Sequence, residues 1–474
     1  MTRTSRIALL LSLAVAPAGA QTTLTAHQRL AREVYRELVE INTVDSVGSV
    51  TKAAEAMAAR FRAAGYSASD IHVLVPAGKP TKGNLVVRLR GRGGAAAQKP
   101  ILLLAHLDVV AALRSDWPRD PFTLHEENGY FLGRGTADDK AMAAMFVANL
   151  LRMKQEKVVP DRDLILALTA DEEGGEDNGV DYLLANHRSL IEAAYAINEG
   201  GGGTLDGDRP ISHSVQAAEK VYLDFILTAT NTGGHSSVPR PDNAIYQLAD
   251  ALKRVSQFQF PVALNPVTAP FFAQTALVEP RADMAAAMRT LGANPTDGAA
   301  AATLSRDPRY ASMLRTSCVA TRLAGGHANN ALPQKATANV NCRIVPTSSR
   351  DEVVTALVRA IGDTGVKVTE VVARGERFGA APSPVEPTLL TAVTSLTKKM
   401  WGDIPVIPTM STGATDGRIL RAAGIPTYGV SGIFSVPGEN NAHGRDEKLR
   451  VKSFYEGLAF LDQLVRLVAA SPRS

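Results

Sequence analysis

The 474-residue chain reads as an α/β protein: a mainly parallel sheet with a second, ferredoxin-like α/β sandwich inserted into it. Three observations predict this. Short, wholly apolar runs of strand length alternate with helical patterns, as in a parallel sheet covered on both faces. Near Lys220 the strands lengthen and begin to alternate apolar with polar residues. After the Pro-rich "APSPVEP" the first texture returns, so one unit sits inside another. The length also suits two or three domains better than one.

Taken in order, residues 26–39 form an amphipathic helix, and "TKAAEAMAARFRAAG" a second that ends at a glycine. "GNLVVRLRG" is a strand, and "PILLLAHLDVV" a buried one. "DKAMAAMFVANLLRMKQE" is a strong helix, and "DLILALTA" and "AAYAINEG" are further buried strands. From "KVYLDFILTATNT" onward the order is strand, helix (243–258), strand, strand, helix, strand, the split-βαβ pattern. An Ala- and Pro-rich stretch at about 265–317 interrupts it with short helices. The strand "IPTYGVSG" and a final amphipathic helix over 447–468 complete the outer unit. The expected boundaries are a leader over 1–20, a first unit over 21–219 and 381–474, and the inserted unit over 220–380.

The bulk numbers exclude some classes. Hydrophobic residues make up 45% of the chain, which is ordinary for a globular protein. The net charge is only +4, with no basic block and no interleaved aromatics, so nucleic acid is not an expected partner. The start differs: Arg3 and Arg6, an apolar stretch over 7–15 and then "APAGA" make a charged, apolar and small-residue series. That is an export signal cleaved after Ala20, too short to span a bilayer. It implies a periplasmic or secreted protein with no membrane span in the mature chain. In an oxidising compartment Cys318 and Cys342, on two strands flanking one loop, have two open readings: a cross-strand bridge or two buried free thiols.

The chemistry collects at strand ends. One apolar strand ends in His106-Leu107-Asp108, the next reaches Asp171-Glu172-Glu173 within "LTADEEGGED", and the third ends at Glu199. Sites in open parallel sheets form outside the carboxyl ends of the strands. So much negative charge in one crevice is costly unless cations occupy it. Strand alternation puts His106 and Asp108 on one side, so Asp108 can orient the imidazole and leave its other nitrogen for a metal. "GRGTADDKAM" adds two aspartates before a helix, and "PGENNAHGRDEKL" adds His443. Each alone has a plainer reading: a core histidine, a helix N-cap, a solvated acidic loop, a loop histidine. Their joint occurrence at strand ends points to a metal site.

The ordered set "HLD", "WPRDPF", "GRGTADDK", "ADEEGG", "NEG" and the late histidine resembles the M20 metallopeptidase family across nearly the whole mature chain. The resemblance implies two zinc ions, with Co2+ or Mn2+ as substitutes. Asp138 would bridge them, and its peptide bond to Asp139 would be cis. His106 and Glu199 would complete one zinc site, Glu173 and His443 the other. Glu172 would be the general base, with Asp108 orienting His106. Ala141 departs from the glycine frequent at that place in the family, beyond the ligand.

The resemblance also makes His235, in "TGGHSSVPRP", an oxyanion donor reaching a partner subunit's site, and hence implies a homodimer through the inserted unit. Asn330 and Arg343 would grip a substrate carboxylate, an arginine fork suiting two oxygens. Gly413 and Thr415, in "STGATDGRIL", would offer donors to substrate, with Asp416 fixing the loop. A Glu at position 199 resembles carboxypeptidase and deacylase members rather than aminopeptidases. The expected reaction is therefore hydrolysis of an amide beside a free carboxylate, on a small peptide or an N-acyl amino acid. The rivals are a dipeptidase or aminopeptidase of the same family and, more distantly, a non-catalytic metal-binding protein. The unliganded base Glu172 argues against the latter. A serine hydrolase is disfavoured because no G-x-S-x-G occurs.

Overall fold

The structure, a computed structural model, describes residues 23–93, 98–371 and 379–470. The expected leader over 1–20 lies outside the described residues. Among these residues no helix is long and apolar enough to cross a membrane.

Four strands form a parallel centre: Leu164–Thr169, Ile101–His106, Tyr195–Asn198 and Thr427–Gly429, side by side in that order. Every residue of the first three is buried, which explains runs that are apolar without alternation. Period-two geometry still divides them. Leu103 and Leu166 face the core made with helices Ala26–Glu40, Lys140–Gln155 and Val451–Ala469, whereas Leu102, Leu104 and Ile165 face helices Gly179–Asn186 and Gly417–Ala422. Each buried leucine contributes on the order of 1.5–3 kcal/mol through removal from water. Antiparallel strands flank this centre, giving a mixed sheet of ten strands. His106 pairs with Thr169 in register, so the segments that follow both strands leave from one edge.

A second sheet is antiparallel throughout, in the order Ser317–Gly325, Lys335–Ile344, Val221–Thr230, Val366–Val371. Helices Ala244–Gln257 and Arg350–Ile361 share its own core of Phe225, Leu227, Leu248, Val340 and Leu357. The Arg350–Ile361 helix is closed at its start by a capping box between Ser349 and Glu352 and at its end by Gly362 at φ +59°. Cys318 lies directly opposite Cys342 and the two form a disulfide with Cα atoms 4.1 Å apart, which decides between the two readings left open.

Three details differ from the sequence reading. The last helix begins at Val451, because Lys448–Arg450 instead pairs with Tyr130–Leu132 in a small sheet that also holds His125–Glu127. A hairpin of Gly203–Asp206 and Arg209–Glu219 extends the central sheet. The short helices Thr268–Thr275, Ala282–Ala293, Gly298–Leu304 and Pro308–Leu314 exist, but Phe272, Met288, Leu291, Leu304 and Leu314 join the core of the central sheet and not that of the second.

Candidate metal centre

Six ionisable side chains converge where the parallel strands end. His106 closes its strand with both ring nitrogens engaged. Nε2 donates to Asp138 Oδ1 at 3.0 Å and lies 4.0 Å from Glu199 Oε1. From the loop after Asn440, His443 Nε2 donates to the other oxygen of Asp138 at 3.1 Å and lies 2.9 Å from Glu173 Oε2. The Asp138 carboxylate thus presents one oxygen to each imidazole, with one glutamate beside each. His106, Asp138 and Glu173 bring donor atoms within 4.8 Å of one another, as do His106, Glu172 and Glu199. The Asp138–Asp139 peptide is cis. Asp139 is the N-cap residue of the Lys140–Gln155 helix, but its side chain bonds none of the helix's first N–H groups.

The electrostatics of this cluster are unresolved without added positive charge. Burial pushes the Glu172 carboxyl up to about 9. Burial and then the Asp138 charge push Glu173 to about 7. Burial also raises Glu199 well above the carboxylate range. Burial opposes the charge on Asp138 too, but bonds from His106 and His443 hold its carboxyl below the usual range. The bond to Asp138 raises His443 to about 9. Burial thus opposes the charge on these carboxylates, a cost that bound cations would relieve. The donor set, two imidazoles and three carboxylates with Asp138 between the two imidazoles, fits two divalent ions with open positions. His106 is buried while the His443 side chain is 56% exposed, so the crevice opens on the His443 side.

Neighbouring residues fix the loops. His106 Nδ1 donates to the Asp108 backbone carbonyl at 3.1 Å, while the Asp108 carboxylate, 3.6 Å from that nitrogen, accepts the N–H groups of Glu172 (3.1 Å) and Glu173 (2.9 Å). Asp108 orients the ring through its carbonyl and holds the acidic turn with its side chain. Asp171, at φ +58°, is held by Lys82 Nζ at 2.5 Å. Asn178 bonds both the Asp171 carbonyl (3.2 Å) and Asp416 (2.7 Å), joining the acidic turn to the "STGATDGRIL" loop. Lys82 and Asn178 were not foreseen; the only signal in the sequence was a buried-length strand beginning directly after a lysine.

The expected substrate contacts are placed differently. Thr415 gives its N–H and its hydroxyl to Glu219, at 2.8 and 2.7 Å, and the Gly413 N–H goes to Ser411 Oγ at 3.0 Å. The donors expected to meet substrate are thus used within the chain. His235 lies on an exposed two-stranded ribbon, paired with Ala331, and Asn330 adjoins it, accepting the Ser236 N–H at 3.0 Å. Arg343 lies at the opposite end of the Lys335–Ile344 strand, stacked 4.7 Å over the Tyr222 ring. Eight residue steps separate Lys335 from Arg343, about 26 Å along the strand. Asn330 thus accompanies His235 on the ribbon, whereas Arg343 lies near the other end of that strand.

A sequence profile of the peptidase family M20/M25/M40 matches residues 102–467. The chain is 29% identical over 389 residues to a probable carboxypeptidase S-like 2 of Dictyostelium discoideum, covering 78% of this chain and 71% of that protein. It is 27% identical over 387 residues to the N-fatty-acyl-amino acid synthase/hydrolase of Homo sapiens, covering 79% and 75%. Its fold matches an M20 family metallo-carboxypeptidase from Sulfolobus solfataricus with a TM-score of 0.65, at 18% identity over 93% of this chain and 99% of that one. The chain belongs to the M20/M25/M40 peptidase family, and it is a hydrolase of peptide or amide bonds.

Proposed function

We propose that the protein is an exported di-zinc hydrolase that cleaves an amide bond next to a free carboxylate, as a carboxypeptidase or an N-acyl-amino-acid amidohydrolase. The observation that carries the reading is Asp138, with one oxygen facing His106 and the other His443, and Glu199 and Glu173 beside them. Those five residues would hold two cations, zinc by donor type, with Co2+ or Mn2+ as substitutes. When bound, such ions polarise a carbonyl and acidify a water. Glu172, on the turn held by Asp108, takes a proton from the attacking water and delivers it to the leaving amine nitrogen. Support for the substrate class comes from the relatives, a probable carboxypeptidase S-like 2 and an N-fatty-acyl-amino acid synthase/hydrolase.

The second sheet, within 220–380, reads as a ferredoxin-like lid and dimerisation domain. His235 and Asn330 share one exposed ribbon, so they would enter a partner's crevice together, His235 donating to the oxyanion and Asn330 to the substrate. Arg343 remains the carboxylate clamp of its own chain. The test is a matched substrate panel read by mass spectrometry. Turnover of N-acyl amino acids or blocked peptides, lost when their carboxylate is amidated, is the expected result. Cleavage restricted to substrates with a free amine would replace this reading with a dipeptidase or aminopeptidase. Export is tested by sequencing the N-terminus of the mature protein, expected to be Gln21.

A further inference from the structure

The chemistry proposed above makes no use of Arg134 or Glu447, yet the two form a buried ion pair directly behind it. Glu447 is fully buried and Arg134 nearly so. Glu447 Oε1 accepts the N–H groups of Ala137 at 2.7 Å and Asp138 at 3.0 Å. Its Oε2 accepts the Gly135 N–H at 3.1 Å and Arg134 Nη1 at 2.6 Å. Arg134 Nη2 in turn donates to the carbonyls of Gly444 at 2.9 Å and His443 at 3.3 Å. Trp117 covers the guanidinium, its ring centre 5.2 Å away. The small sheet explains how the pair meets: Leu132 opposes Lys448, so the residues just after one strand lie beside those just before the other.

A buried ion pair is weak evidence for stability, since apolar residues of similar volume often serve as well. What distinguishes this one is where its bonds go. They end on the backbone of Asp138 and on the carbonyls of His443 and Gly444, which belong to two loops about 300 residues apart in sequence. The second loop turns sharply: Asn441, His443 and Asp446 lie at φ +51°, +63° and +53°, in the left-handed region that these residue types enter more readily than other non-glycines.

We infer that Arg134 and Glu447 are positioning residues that fix Asp138 and His443 at one separation, so that both imidazole–carboxylate pairs can take a cation at the same time. This rests on the dinuclear reading. The fork of Arg134 bonds Glu447 and two loop carbonyls together, which a lysine ammonium in its place does not reproduce. Glu447 serves the bridging carboxylate and hence both sites.

The test uses full-length wild type, Arg134→Lys and Glu447→Gln, stripped with chelator and titrated with Co2+, with affinity read by calorimetry and geometry by visible absorption. Melting curves without cation report folding separately. Wild type is expected to take two Co2+. Arg134→Lys is expected to keep one at wild-type affinity and to bind the other about 10- to 100-fold more weakly with an altered spectrum. Glu447→Gln is expected to weaken both. If Glu447→Gln does not fold, Arg134→Lys decides alone. Folded variants that bind two Co2+ with wild-type affinity and spectrum, even at a lower melting temperature, overturn the inference, and so does failure of both variants to fold. Wild type that takes fewer than two Co2+ removes the dinuclear reading itself, an outcome distinct from wild type binding two and the variants matching it.

Discussion

The strand-end crevice and the ribbon at the far end of the second sheet carry the two sets of polar residues singled out in the sequence, and they are built in opposite ways. In the crevice, residues from 106 to 443 converge within one chain, with His106 and His443 both bonded to Asp138. On the ribbon, His235 is exposed, and Ser237 is its partner. The first region comes from one chain; under the proposed function the second acts only at another chain's crevice. The difference teaches that cation binding should be a property of the single chain, and turnover a property of the assembly.

The largest expected effect concerns the crevice alone. Glu172→Gln should lower kcat by about 100- to 10,000-fold while leaving cation content unchanged in metal analysis. Activity near wild type would remove Glu172 from the proton transfer. Asp138→Asn should next abolish stoichiometric binding of two cations, because one substitution withdraws charge from both imidazole pairs. Retention of two tightly held ions would place the bridge elsewhere.

The ribbon is tested by His235→Ala. It should lower kcat by about 100- to 1,000-fold with both cations retained, as for loss of an oxyanion donor. Mixing it with Glu172→Gln should restore part of the activity in mixed dimers, since one composite site then has both wild-type residues. No recovery in verified mixed dimers would confine each site to its own chain. The smallest effect on function is expected at the disulfide. Cys318→Ser should lower stability by about 2–4 kcal/mol in denaturant titration, because the bridge closes a loop of 24 residues, and should leave cation content unchanged. A change in cation content would show that the second sheet supports the crevice after all.

How much of this was legible depended on how local the signal was. The parallel centre was readable because its strands are buried on both faces and so carry unbroken apolar runs such as "ILLLA". Of the candidate metal donors, His106, Glu173 and Glu199 were readable because they follow those runs directly, whereas Asp138 and His443 needed the order of motifs as well. The small sheet was missed because three-residue strands such as Tyr130–Leu132 are too short to show a period. The hairpin after Gly203 had a signal in the Gly207 turn, at φ +62°, that the reading passed over. Asn330 and Arg343 were named from the family resemblance, and a local motif does not tell that Arg343 sits near the far end of a straight strand from the ribbon. For the helices over 268–314, an Ala-rich amphipathic pattern says that a face is buried but not against which core. Asp108 kept its place beside His106, but strand alternation could not tell that its carboxylate would serve the turn of Glu172 and Glu173 instead.

The central claim is that two cations sit on either side of Asp138. Anomalous diffraction at the zinc edge from crystals of zinc-loaded protein tests it most directly. Two peaks are expected, one among His106, Asp138 and Glu199 and one among Asp138, Glu173 and His443. A single peak, or peaks away from these residues, would contradict it.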